Sequence, residues 1–314
     1  MDTFDGQLAV VTGGGTGMGR ELVRQLAAAG CDVAMCDVAE EPMTETARLV
    51  AEDGSTATVS SHLCDVSDEA QVIAFRDAVA STHDTDSINL LFNNAGIGGS
   101  GSFVTDDRDQ WEKTFGVCWG GVYACCRAFI PMLVKAEQGA VINTSSVNGF
   151  WASIGPDTPH TAYSAAKFAV KGLTEALIAD FRVNAPHLSA HVVMPGHIGT
   201  SIALNSLEAH GGIDVANVRK QLARQDIPTD QLTDEQIEEF VAERGRQFRD
   251  NAPTSSAEAA TIILEGLRAG QWRILVGDDA KVLDELVRQD PWSAYEPSFI
   301  ERLAEGDHLA VFRE

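Results

Sequence analysis

Tyr163 and Lys167 stand four residues apart in a stretch that reads as helix, so their side chains share one face about a turn from each other. A phenol beside an ammonium can move a proton. Free tyrosine titrates near 10, a neighbouring cation favours the phenolate, and a tenfold change in its acidity corresponds to about 1.4 kcal/mol. Hydride transfer to or from a carbon leaves a proton to be handled at the attached oxygen, and a positioned acid/base of this kind does that work.

A second group of residues suits a phosphate-bearing ligand. Thr12-Gly13-Gly14-Gly15-Thr16-Gly17-Met18-Gly19 follows an apolar strand directly and opens into a helix. There the chain must turn tightly, bring backbone close to a pyrophosphate and start a helix whose free N–H groups attract negative charge. Gly13, Gly15, Gly17 and Gly19, with Thr16 and Met18 between them, are therefore candidate dinucleotide contacts. Asp37 ends the second strand, where an acid accepts hydrogen bonds from a ribose. Its charge repels a 2′-phosphate, and no Lys or Arg lies at 36–39 or in the turn before Gly17, so the expected cofactor is NAD. Each residue alone also has an ordinary reading. Glycines serve turns, Asp37 can cap a helix, Tyr163 can start one, Lys167 can sit in solvent and Ser146 can cap a strand end.

These residues need a scaffold, and the hydrophobic pattern describes one. QLAVVT (7–12) reads as a strand, 17–29 as a helix and DVAMCD (32–37) as a strand, which makes a βαβ unit. The alternation continues with a helix near 41–53, the strand TATVSSHLC, a helix after Ser67 and INLLF at 88–92. A long helix near 107–136, the strand GAVINTSS, a helix from Tyr163 to about Phe181 and SAHVVM at 189–194 follow. The expected fold is α/β, a doubly wound parallel sheet of six or seven strands with helices on both faces, in a single domain spanning 1–314. From about Thr200 to Asn251 the chain is polar and helical without strand signals, and reads as an insertion within that domain. Thr233 with Gln236 makes a capping box there, ahead of Ile237, Phe240, Val241 and Phe248 at helical spacing. Ser255 with Glu258 caps a further helix, RILV at 273–276 reads as the last strand, and 278–314 forms a C-terminal extension containing Pro291 and Pro297.

Composition narrows the partners. With 23 Lys and Arg against 46 Asp and Glu, the formal charge of -23 repels nucleic-acid backbones and anionic lipid, so neither is expected as a partner. The N-terminus has no basic segment leading into a long apolar run, and no 18 apolar residues run together, so a cytoplasmic protein is expected. Cys31, Cys36, Cys64, Cys118, Cys125 and Cys126 include no Cys-x-x-Cys pair, which favours buried reduced thiols over disulfides or a metal site.

Five motifs in order resemble the short-chain dehydrogenase/reductase family. They are the Thr-Gly-x-x-x-Gly-x-Gly turn, Asn93-Asn94-Ala95-Gly96, Ser145-Ser146, Tyr163-Ser164-Ala165-Ala166-Lys167 and Pro195-Gly196-His197-Ile198-Gly199-Thr200. The resemblance covers roughly residues 6–200 and, more loosely, 252–277. It implies a Rossmann sheet ordered 3-2-1-4-5-6-7 and a homo-oligomer, a tetramer or dimer built on the two long helices. By the same resemblance Asp65 and Val66 flank adenine, Asn93, Ala95 and Gly96 back the adenosine ribose, and Lys167 holds the nicotinamide ribose. Ile198 and Thr200 hold the carboxamide, and Ser146 orients the substrate oxygen.

Two departures stand out. The interval from Ser146 to Tyr163 is several residues longer than the family pattern, which implies a larger loop lining the pocket. Cys118 replaces the usual asparagine of the long helix, where the family uses a kink to hold a water linking the lysine to solvent. Cysteine keeps the backbone carbonyl but loses the amide, and Gly116, Gly120 and Gly121 permit the kink. Phe150, Trp151, Met194 and Ile198 fall near the reacting end, so a bulky apolar alcohol or ketone, terpenoid or steroid-like, is expected, with the 200–251 insertion as its lid. An ordinary core would look the same. Enoyl or imine reduction on the same scaffold and a cofactor-binding sensor without turnover are the rival readings.

Overall fold

Short runs of branched and apolar residues separated by amphipathic stretches can bury both faces of each strand only if helices cover the sheet on either side. The computed structural model, which describes residues 3–99, 101–155, 158–224 and 232–305, has that arrangement. Its elements begin β1 (Leu8–Thr12), α1 (Gly17–Ala28), β2 (Asp32–Asp37), α2 (Glu40–Glu52), β3 (Val59–Leu63), α3 (Glu69–Thr82) and β4 (Leu90–Asn93). Next come α4 (Arg108–Phe115), a π turn (Gly116–Gly120), α5 (Gly121–Leu133), β5 (Gly139–Thr144), α6 (Thr161–Asn184), β6 (Leu188–Pro195) and β7 (Ile198–Gly199). The insertion holds α7 (Ile202–Ala209), α8 (Val215–Arg224) and α9 (Asp234–Asp250). The chain continues with β8 (Thr254–Ser255), α10 (Ser256–Arg268), β9 (Arg273–Val276), α11 (Asp278–Gln289) and α12 (Pro297–Glu305).

Seven strands form one parallel sheet in the order β3-β2-β1-β4-β5-β6-β9, the order implied by the family resemblance. The order reverses between β1 and β4, and a parallel sheet opens its ligand crevice at the carboxyl ends beside such a switch point. On one face Phe75 of α3, Phe129 of α5 and Leu177 of α6 pack over the sheet. On the other, Leu26 of α1, Met43 of α2 and Ile263 of α10 do so. Each such side chain taken from water contributes roughly 1.5–3 kcal/mol.

The expected long helix is one rod, Arg108–Leu133, with the π turn in its middle. By length and composition it could cross a bilayer, but 56% of its most apolar window is buried within the protein. β7 and β8 pair in parallel and draw the two ends of the insertion together, so the segment loops out from one place and returns to it. Both capping boxes form as expected, Thr233 with Gln236 and Ser255 with Glu258. Residues 225–231 of the insertion and 306–314 of the extension lie outside the described residues. The rest of the extension is helical and packs on its own chain, where Leu283, Ala294, Phe299 and Leu303 enclose Trp151. All six cysteines are buried and unpaired.

Candidate active site

The glycine turn closes over itself. Gly13 has φ +68°, a left-handed conformation, and lies against the backbone of Ala95. A side chain on Gly19 would collide with the Gly13 carbonyl. Thr16 precedes α1 in an extended conformation and its side chain does not cap the helix, which leaves the first-turn N–H groups of α1 for a ligand. Asp37 is fixed by the same turn. Its carboxylate accepts the Gly15 N–H at 3.0 Å and the Val38 N–H at 2.8 Å. Arg20 lies beside the turn but donates to the Gly15 carbonyl and, at 3.1 Å, to the Thr46 hydroxyl. An anionic phosphate group fits this cradle of glycine backbone and uncapped helix, and the Asp37 carboxylate fits a ribose diol.

Along the switch point, the Thr12 hydroxyl accepts the N–H groups of Asn94 and Ala95, each at 3.0 Å, and so holds the start of the Ala95-Gly96 segment. Asn93 differs from expectation in one respect. Its side chain turns into the sheet, donating to Asn143 at 2.8 Å, while Asn143 donates to Thr174 at 2.9 Å. Any part that Asn93 takes in cofactor contact is left to its backbone. Asp65 accepts from the Ser67 N–H and hydroxyl, at 2.9 and 2.7 Å, and Val66 is buried against Gly121 of the long rod.

At the end of β5 the chemistry-bearing side chains converge. Lys167 is buried, donates to the Thr144 carbonyl at 2.8 Å and sits 5.3 Å from the centre of the Tyr163 ring. The backbone around it is held in turn, since the Ser145 hydroxyl donates to the Lys167 carbonyl at 2.7 Å. Ser146 accepts the Asn148 N–H at 3.1 Å, and its hydroxyl lies close enough to the Tyr163 phenol to lower its pKa. Burial pushes the Tyr163 phenol above its ordinary value, the nearby Cys118 adds to the rise, and the Ser146 hydroxyl opposes it. Burial also depresses the Lys167 ammonium, with Cys118 opposing.

Cys118 lies at the centre of the π turn and its thiol donates to the Ile97 carbonyl at 3.1 Å. The rod is therefore interrupted at the point where the sequence allows a kink, and a π turn inside a helix is often found at a functional site. The far side of the site is the segment after β6. Gly196 donates to the Val276 carbonyl at 2.9 Å and the His197 N–H to Asp279 at 2.6 Å. Pro195 closes β6, Ile198 is buried and pairs with Thr254 in the short sheet, and the Thr200 side chain lies over Gly17. Sequence reasoning missed Asp279. Its carboxyl is buried and pushed above its usual range by desolvation, and it occupies the space beside Gly196.

Sequence reasoning also missed the reach of α7. Asn205 donates to the Thr16 hydroxyl at 3.2 Å, and the Gly98 N–H donates to Ser206 at 2.7 Å. His210, just past α7, meets the Gly98 carbonyl at 3.1 Å and the Thr114 hydroxyl at 3.2 Å. The start of the insertion thus bridges the glycine turn, the loop after β4 and α4. Three of the four expected apolar lining residues are fully committed to packing. The Trp151 indole donates to the Ala294 carbonyl at 2.6 Å within the C-terminal cluster, while Met194 and Ile198 are core residues. The fourth, Phe150, stacks under Arg273 at 5.5 Å. Instead a cavity of about 630 Å³ opens beside α6, lined in part by Ala152, Ser153, His160, Ser164 and Tyr295.

Residues 7–210 match the family model described as short chain dehydrogenase. The chain belongs to the short-chain dehydrogenase family. Among its relatives is an oxidoreductase named SadH from Mycobacterium tuberculosis, 33% identical over 288 residues that cover 92% of each chain. A second is the meso-2,3-butanediol dehydrogenase of Serratia marcescens, 35% identical over 177 residues, 56% of this chain and 66% of that one. A solved short-chain dehydrogenase/reductase from Burkholderia phymatum, in complex with NAD, superposes with a TM-score of 0.75 at 27% identity, covering 95% of this chain and 98% of that one. The family assignment makes this chain an oxidoreductase of small molecules that uses a nicotinamide cofactor.

Proposed function

We propose that this short-chain dehydrogenase interconverts a secondary alcohol and a ketone with NAD, and the convergence of Tyr163, Ser146 and Lys167 at the end of β5 carries the reading. Oxidised nicotinamide, when bound, supplies the hydride acceptor and a positive charge that opposes the upward push of burial on Tyr163. Tyr163 takes the proton from the alcohol oxygen in oxidation and returns it to the ketone oxygen in reduction. Ser146, beside that phenol, steadies the substrate oxygen as charge gathers on it. Lys167 keeps a cation against the phenol ring and would hold the nicotinamide ribose. Cys118 takes the place of the asparagine that in the family resemblance supports the proton path from the lysine.

Gly13, Gly15, Thr16, Gly17, Met18 and Gly19 would hold the pyrophosphate, with Asp65 and Val66 beside the adenine. The backbone of Asn93, Ala95 and Gly96 would back the adenosine ribose, and Pro195, Gly196, Ile198 and Thr200 the nicotinamide end. Asp37 supports NAD over NADP, because its carboxylate is held beside the turn and Arg20 is engaged with backbone and Thr46. The insertion serves as the substrate lid through α7. A homo-oligomer forms on the outer faces of the long rod and α6, where Tyr123 is 49% and Phe168 42% exposed. The bulky apolar substrate expected at first loses its support from Trp151, Met194 and Ile198, which pack elsewhere.

The test is NADH formation by the purified protein against open-chain and cyclic secondary alcohols, with both nicotinamide cofactors. Tyr163→Phe is expected to lower turnover about 10²- to 10⁴-fold while leaving cofactor binding in place. Equal rates for the variant and the native protein would remove Tyr163 from the chemistry and end this reading.

A further inference from the structure

We propose that His160 and Ser164 form a polar subsite for a second substrate oxygen, so that the preferred substrates are diols and hydroxyketones, not simple monoalcohols. This rests on the dehydrogenase reading above. His160 immediately precedes α6, and its ring centre lies 4.8 Å from that of Tyr163, inclined by 37°. Its carbonyl accepts the Ser164 N–H at 3.2 Å, but its side chain does not cap the helix. Desolvation is the sole influence on the imidazole, pushing its pKa down to about 4, and no ring-nitrogen hydrogen bond is found among the described residues. The ring is therefore neutral near pH 7, with one nitrogen able to donate and the other to accept.

Ser164, one turn further and next to Tyr163, is buried, and its hydroxyl has no hydrogen-bond partner among the described residues. Both side chains line the 630 Å³ cavity beside α6. Buried polar groups are normally satisfied, so the Ser164 hydroxyl, buried without a partner on the turn that carries the proposed acid/base, points to a polar group supplied from outside, and the half-buried His160 ring lines the same cavity. Three other polar side chains of the cavity wall are already engaged. Ser153 donates to the Gly155 carbonyl at 3.2 Å and Thr161 to the Gly101 carbonyl at 2.8 Å, and the Tyr295 hydroxyl accepts the Ala152 N–H at 3.1 Å. His160 both lines the cavity and lies against the Tyr163 ring, so the cavity reaches the proposed acid/base there. A substrate whose reacting carbon lies at Tyr163 can place a neighbouring oxygen against it. A site that hydrogen-bonds a hydroxyl discriminates strongly against the analogue that lacks it.

The experiment compares kcat/KM for NADH formation from butane-2,3-diol against butan-2-ol and from trans-cyclohexane-1,2-diol against cyclohexanol. It uses the native protein, His160→Phe, His160→Gln and Ser164→Ala. The native enzyme is expected to favour the diol of at least one pair by about tenfold or more, equivalent to ~1.4 kcal/mol. His160→Phe, which keeps an aromatic ring against Tyr163, should bring that ratio close to one. His160→Gln should retain most of it, and Ser164→Ala, which gives an independent reading if the histidine variants fold poorly, should lower it. A native ratio near one, or a ratio that survives both His160→Phe and Ser164→Ala, overturns the subsite and leaves the dehydrogenase reading intact. NAD binding without NADH from any of the four alcohols, in a protein equally silent in ketone reduction, overturns the dehydrogenase reading and the subsite with it.

Discussion

Asp37 and Ser146 show how single side chains tune this site. The Asp37 carboxylate is oriented by two backbone N–H groups, and Asp37→Ser removes a fixed negative charge while its hydroxyl remains an acceptor at that position. The expected outcome is a change in the NADP-to-NAD ratio of kcat/KM of at least about tenfold toward NADP, ~1.4 kcal/mol, measured by steady-state rates with each cofactor. The Ser146 hydroxyl counters the rise that burial gives the Tyr163 phenol. A base acts when deprotonated, so the oxidation rate climbs with pH as the phenol ionises. Ser146→Ala is expected to move that limb of the kcat profile to higher pH, and an unmoved or acid-shifted limb would contradict the assignment. Tyr163, Lys167, Ser146 and Asp37 were legible in the sequence because their spacing is local to one helix, one strand end or one turn. The burial that lifts the tyrosine was not legible, because it depends on what packs around α6. Asp279 was hidden for a related reason, since its bond to His197 spans 82 positions.

Among the elements, the strands and their helices could be read from alternation alone, because each strand of a parallel sheet is a continuous apolar run. The helices of the C-terminal extension could not. Pro291, Pro297 and exposed Trp292 break the local pattern, and the apolar stripe of α12 gains meaning only opposite Trp151. That contact joins the extension to the loop after Ser146, so its loss belongs to both elements. Trp151→Ala is expected to destabilise the fold by about 3–5 kcal/mol, as for other fully buried aromatic truncations, measured by chemical denaturation. A loss below about 1 kcal/mol would mean that the extension is not anchored there. The π turn was half legible: three glycines marked where the rod could yield, but not that it would yield through a π turn.

For the whole molecule, charge and burial make opposing demands as pH falls. His62, His83, His160, His191 and His197 are all held below their ordinary pKa by burial. Unfolded histidine titrates near 6.5, so below that pH the unfolded chain binds more protons than the native one. The stability contributed by these neutral rings is present in full above that pH and is lost as pH drops through 6.5 toward the lower folded values. For His160 the loss continues to about 4. Relief of self-repulsion in a chain of net charge -23 acts the other way over the same interval. Thermal melts are expected to show a lower Tm at about pH 5 than at about pH 7.5, and a Tm that holds or rises would show that the carboxylates dominate.

The fastening of the loop behind Ser146 has a consequence in time. The Trp151 indole and the Ala152 N–H are each tied to partners 143 positions downstream, so no nascent or refolding chain can shape that wall from nearby sequence. The glycine turn and Asp37, only 22 positions apart, mature early by comparison. A renaturing population should therefore regain its grip on dinucleotide before it regains turnover, and the interval between the two would clock the arrival of the C-terminal helices.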